Sequence, residues 1–149
     1  MKRYIALCIC ALVGISGILM ISAEPIEKPL KEWEQQLQLP KTYEIIETHQ
    51  LPRRQQLAIV KVLEPDGYRH VMVLGQNRLT HWKLVESLDL GVATKDTIGQ
   101  SIEEAYLTAG YIHASDSPSS PDCIEVAAPN STYSLWIQLH GSGHYSQHK

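Results

Sequence analysis

Gln56-Leu-Ala-Ile-Val-Lys-Val-Leu63, then Glu64-Pro-Asp-Gly67, then Tyr68-Arg-His-Val-Met-Val-Leu74 is the stretch on which the fold class turns. Both outer runs are rich in β-branched residues, which fit a pleated surface. Pro65 presets a turn dihedral and Gly67 accepts the positive φ that closes a reversal, so the segment predicts a hairpin. Consecutive apolar residues, Ile59-Val60 in the first run and Val71-Met72-Val73 in the second, predict burial on both faces near the middle of a sheet.

Working outward, Lys41 to Gln50 carries Tyr43, Ile45 and Ile46 and predicts a further strand. Leu79, Trp82, Val85 and Leu88 recur every three residues with Gly91 beyond them, a helical spacing. Thr97-x-x-Gln100 and Ser101-x-x-Glu104 are capping-box patterns. Ile102, Ala105, Tyr106 and Ala109 would share one face of the helix that follows, with Gly110 at its end. Ser115 to Pro121 is loop by composition. Cys123 to Ala128 and Tyr133 to Leu139 alternate in polarity around Pro129-Asn130-Ser131, which predicts a second hairpin. Upstream, Pro29 suits the first turn of a short amphipathic helix bearing Leu30, Trp33 and Leu37, ending before Pro40. That helix is too short to stand alone and must pack on the domain or on a partner. The expected fold class is α+β: a small antiparallel sheet of two hairpins plus one strand, with two to three short helices on one side.

The chain begins Met1-Lys2-Arg3, continues through an uncharged apolar stretch from Tyr4 to Ile21, and reaches Ser22-Ala23 before Glu24-Pro25. A basic start, an apolar centre and a small residue before a polar segment form the pattern of a secretory signal, cleaved after Ala23. The apolar stretch is also close to the ~20 residues that span a bilayer, so an uncleaved anchor is the alternative. Lys2 and Arg3 place the following domain outside the cytoplasm in both cases. The expected organisation is a signal peptide or anchor over 1–23, a spacer and short helix over 24–40, one domain over 41–140, and a polar histidine-containing tail over 141–149. Membrane contact is expected only through residues 4–21, if they are retained.

Without Lys2 and Arg3 the chain keeps eleven basic against sixteen acidic residues, a net charge of −5. With no basic run longer than Arg53-Arg54, nucleic acid is not an expected partner. Cys123 is the one cysteine outside the apolar segment, so the domain must be held by its core and not by disulfides. Asp122 beside it would raise its pKa, the opposite of what a nucleophilic thiol needs. His140, His144 and His148 are spaced by four, but Gly141 and Gly143 oppose the helix that would align them on a metal. No Walker loop, dinucleotide-binding glycine pattern, zinc-protease motif or calcium loop is present, so no cofactor is expected. Asn130-Ser131-Thr132 is a glycosylation sequon, used only in a eukaryotic secretory pathway.

Three aromatic residues are candidate binding groups: Trp33 on the short helix, and Tyr133 and Trp136 on the last strand. Trp136 falls opposite Leu135 and Ile137, beside Ser134, Gln138 and His140. An aromatic placed there is either an interface anchor or is covered by a helix.

The stretch from Ile45 to Val62, containing Leu51-Pro-Arg-Arg-Gln55, followed by Val71-Met-Val-Leu-Gly75, resembles the FliO-type membrane component of the flagellar export apparatus. The resemblance covers about thirty residues and implies one membrane span followed by a small β-rich module. It departs from that family in two respects. The family's module faces the cytoplasm whereas Lys2-Arg3 argue for export, and Cys123 to Leu139 form a β region the resemblance does not imply. The leading expectation is therefore an exported or membrane-anchored, non-enzymatic binding domain with a protein partner. An assembly factor for a membrane complex, and a small exported enzyme using Cys123 or the histidines, are the alternatives.

Overall fold

The computed structural model describes residues 24–118, 122–127 and 131–140. The segment 1–23, Asn130 and the tail from Gly141, with His144 and His148, lie outside the described residues. One α-helix, α1 (Glu27–Trp33), precedes eight strands: β1 (Glu44–Leu51), β2 (Gln55–Glu64), β3 (Gly67–Arg78), β4 (His81–Val92), β5 (Ser101–Glu103), β6 (Leu107–His113), β7 (Ile124–Ala127) and β8 (Tyr133–Leu139). They form two antiparallel four-stranded sheets, ordered β1-β2-β3-β4 and β5-β6-β8-β7.

The sheets pack face to face. Leu57, Ile59, Met72, Leu74, Leu88 and Leu90 from the first meet Leu107, Ala109, Tyr111, Val126, Leu135 and Ile137 from the second. The other face of the first sheet is closed by the segment around α1. Ile26, Leu30 and Leu37 bury against Ala58, Val60, Val62, Val71 and Val73, with Trp33 and Trp82 at the margin. This is why β2 and β3 carry apolar residues at consecutive positions: alternate side chains enter two different cores. The β2–β3 hairpin forms with Glu64 opposite Gly67. The second hairpin, β7 with β8, is also present.

The α+β expectation is overturned: the described residues are mostly β, with one seven-residue α-helix, a short 3-10 turn at Pro52–Arg54, and two sheets instead of one. The spacing Leu79-Trp82-Val85-Leu88 belongs to the β3–β4 hairpin. Gly75 opposes Leu84 while Leu74 opposes Glu86, so Val85 is an extra residue in the ladder. Such a bulge shifts the phase of the alternation. Trp82 and Leu84 face the helix side, and Leu88 and Leu90 face the other sheet. A strand with one inserted residue thus imitates a period of three.

The second expected helix is the β5–β6 hairpin. Ile102 pairs with Ala109, and Ala105-Tyr106 make its turn, closed by Glu104 N–H donating to Leu107 O at 2.8 Å. Thr97, expected to cap a helix, instead accepts from Thr94 N–H at 2.7 Å in a turn. Gly110 ends no helix but lies inside β6.

Candidate functional site

The two sheets diverge on the side where β1 and β7 form their outer strands. A cleft of about 520 Å³ opens there, lined by Glu44, Ile46, Glu47, Lys61, Tyr68, His70, Val126, Ala127, Ser131, Tyr133 and Leu135. Its size lies within the range of ligand pockets, ~300–1,000 Å³. Among the described residues no strand flanks the outer side of β1 or β7.

The polar group of this cleft is built by an irregularity. Arg69 opposes Val92 and Val71 opposes Asp89, so His70 alone faces Leu90 and Gly91. Gly91 adopts φ +66, which glycine takes without cost, and its carbonyl is thereby turned toward the second sheet. Tyr111 donates its hydroxyl proton to Gly91 O at 2.9 Å. A phenol has one proton, so the 3.1 Å contact between the Tyr111 oxygen and His70 Nδ1 must have Nδ1–H as donor. That fixes the His70 tautomer and leaves Nε2 as an acceptor. His70 is 4% exposed. Its pKa is pushed down to about 4, first by burial and then by the nearby Lys61 charge, so the ring is neutral at pH 7. Burial pushes the Tyr111 phenol well above its ordinary range.

Aromatic rings continue the wall. His70 and Tyr133 each meet Tyr111 edge to face, with centroids 5.7 and 5.3 Å apart. Lys61 pairs with Glu44 at 3.0 Å and lies 4.8 Å from the centre of the Tyr68 ring, so the rim is amphipathic. Glu47 bonds His49 Nε2 at 2.9 Å beside it. The cleft offers apolar surface at Ile46, Val126 and Leu135, a fixed acceptor at His70, and both signs of charge at its lip.

Tyr111→Phe removes the hydroxyl that joins the sheets and leaves the Gly91 carbonyl and His70 Nδ1–H without it. Buried groups orphaned in this way cost about 1–3 kcal/mol. Urea unfolding at pH 7 should show that loss.

Of the residues singled out from sequence, Tyr133 lines the cleft. Trp33 does not reach it: it is half-buried in the helix-side core, where its ring lies 3.1 Å from the position of a Cβ on Gly75. Trp136 is half-buried on the outer face of the second sheet, between Gly110 on β6 and Glu125 on β7. No helix covers that face among the described residues; α1 packs on the other sheet. Instead the backbone at Gln100-Ser101 crosses Gly110 closely. A Cβ on Gly110 would sit 2.3 Å from Gln100 O and 3.1 Å from Trp136 Nε1. Gly110→Ala should therefore displace the 99–101 segment and cost about 1–3 kcal/mol or more, read as a lowered thermal midpoint.

His140 is tied to the fold, its Nε2 sharing a proton with Thr108 Oγ1 at 2.6 Å. No cluster of three metal-ligating side chains occurs among the described residues. Cys123 is half-buried and free of any disulfide. Sequence reasoning missed His70 and Tyr111 because each sits inside an apolar run that reads as core. The signal that could have found them is a histidine held within a doubly buried strand, which needs a polar partner from elsewhere in the fold. No family model, curated protein or solved structure matches the chain.

Proposed function

We propose that this chain is an exported or membrane-anchored, non-enzymatic binding domain that receives an extended segment of a protein partner in the cleft between its sheets. The observation that carries this is the pairing of an amphipathic cleft with two sheet edges, β1 and β7, that form its lips and that no strand flanks among the described residues. An extended peptide laid between them gains main-chain hydrogen bonds from an edge and side-chain contacts from the cleft. His70 Nε2 is an acceptor held in place for a donor on the incoming segment.

A photo-crosslinking residue placed at Ala127 should capture a partner in the native host, and the same residue at Lys31, exposed on α1 at the other face of the first sheet, should not. Ala127→Arg combined with the crosslinker at Glu47 should abolish capture, because the guanidinium fills the mouth. Capture from Trp136 that survives Ala127→Arg would sink the cleft reading and move the interface to the outer face of the second sheet. Trp136→Ala, which disturbs only a half-buried position, would then weaken binding while leaving the fold intact.

A further inference from the structure

Within the first sheet, basic residues gather at one end of the strands; the acids Glu86 on β4 and Glu103 and Glu104, by the β5–β6 turn that bonds Glu86 through Tyr106 N–H, lie behind them. One end of the first sheet is made of 50–56, which links β1 to β2, and 75–83, the tip of the β3–β4 hairpin. Together these two segments hold Arg53, Arg54, Arg78, His81 and Lys83 and no acidic residue, in a chain with sixteen acids. They are physically joined, with Gln76 Nε2 donating to Arg53 O at 3.3 Å and Gln55 paired with Gln76. Arg54, Arg78 and Lys83 are exposed and form no ion pair among the described residues. The opposite end carries Glu44, Glu64, Asp66 and Asp89, held partly by Lys61 and Arg69.

At the centre of the basic end stands Leu79, 82% exposed and at φ +42. A bulky apolar residue is a poor choice for a left-handed turn position that asparagine or glycine fills without strain. The chain also enters the domain here. Ile26 N–H donates to Gln56 Oε1 at 3.0 Å and Gln56 Nε2 to Glu24 O at 3.5 Å, two residues from Arg54. The residues that precede Glu24 include the apolar stretch from Tyr4 to Ile21.

We infer that this end of the domain docks on an anionic phospholipid surface, with Leu79 entering the headgroup region and Arg54, Arg78 and Lys83 on the lipid phosphates. Charge complementarity and the entry of the chain at the same end both favour a bilayer over another occupant. The docked pose leaves the cleft residues Glu44, Lys61, Tyr68 and His70, which lie toward the far end of the strands, open to the extracytoplasmic side. The inference rests on the extracytoplasmic, membrane-proximal reading of the chain, and does not depend on what the cleft binds.

The full chain, in whichever form the native host yields, is mixed with vesicles of phosphatidylcholine containing phosphatidylglycerol, and with vesicles of phosphatidylcholine alone. A fluorophore is attached at Leu79→Cys, or at Asp66→Cys as the far-end control, with Cys8, Cys10 and Cys123 replaced by Ser. Quenching by spin-labelled lipid is expected at position 79 in the anionic vesicles and not at position 66. It should fall with added salt. Arg54→Gln, Arg78→Gln and Lys83→Gln together should shift the docking equilibrium about 100-fold, at ~1 kcal/mol per basic residue near an anionic surface. An unchanged circular dichroism melt shows that the triple variant still folds.

Absence of quenching at 79 in the anionic vesicles overturns the inference. So does quenching that is equal in both lipids and indifferent to the three substitutions. Retention on immobilised polyglutamate or nucleic acid without lipid contact replaces it with a polyanionic partner. Carbonate extraction of the vesicles reports separately whether residues 1–23 anchor the chain, so failure of the anchor is distinguishable from failure of docking.

Discussion

Leu30→Ala should lower the unfolding free energy by about 2–5 kcal/mol, the range for removing a fully buried leucine side chain. Leu30 is 0% exposed although it lies on a helix of only seven residues. Such a helix has no stability of its own. It exists because Ile26, Leu30 and Leu37 seal the valine-rich face of β2 and β3. The fit leaves little room to collapse: a Cβ on Gly75 would already lie 3.1 Å from both Ile26 and Trp33. Loss of three carbons at Leu30 therefore leaves a cavity that the rigid sheet below cannot fill. A domain of this size has about 5–15 kcal/mol in total, so the variant should melt many degrees lower and give a shifted urea midpoint. Lys31→Ala, exposed on the same turn, is the control and should change little. A Leu30→Ala cost below about 1 kcal/mol would mean that the segment 24–39 is not part of the cooperative unit. Cleavage after Ala23, the site expected from sequence, keeps every one of these packing residues on the domain.

The parts of this fold that were legible in the sequence are those where local chemistry and tertiary placement agree. Glu64-Pro-Asp-Gly67 carries its own turn signal, and the flanking double-faced apolar runs can only be central strands. The β7–β8 hairpin was legible for the same reason, because one face of Tyr133 to Leu139 is apolar and the other mixed. Where two residues in the ladder replace one, the periodic signal fails. Val85 turns a strand into an apparent repeat of three, and the β5–β6 reversal at Ala105-Tyr106 contains none of the glycine, asparagine or proline that marks a turn. The two expected helices vanished for these two reasons, and with them the helix layer that was expected to cover the sheet.

The candidate site was legible only at Tyr133. Its other members come together through a bulge at Leu90-Gly91 opposite His70 and a hydroxyl on a different sheet, and neither has a local sequence signature. The charge separation along the strands was equally hidden. The net charge of −5 outside residues 1–23 averages over a basic end and an acidic end of the first sheet. Arg53-Arg54 reads as a solvated turn until the β3–β4 tip is seen beside it.

Stability should fall by about 3 kcal/mol as the pH is lowered from about 6.5 to about 4, from His70 alone. The fold holds this ring neutral, with Nδ1–H donated to Tyr111 and the body of the ring buried. Its folded pKa, about 4, lies below the unfolded value near 6.5. Between those values the unfolded chain binds a proton that the folded protein refuses, so acidification favours unfolding across that window. The contribution is complete above about pH 6.5, is lost progressively on descent, and is constant below about pH 4. The groups around the ring reinforce this sign: Lys61 repels a second positive charge, while Glu44 is already engaged by Lys61. His70→Gln keeps an N–H donor for Tyr111 and cannot titrate. Urea unfolding at pH 7 and at pH 4.5 should therefore show a much smaller difference for His70→Gln than for the wild type, the residue being what the carboxylates contribute to both. Equal acid losses in the two proteins would show that His70 is free to protonate in the fold. The cleft would then carry a positive charge at mildly acidic pH in place of the fixed acceptor on which its proposed recognition depends.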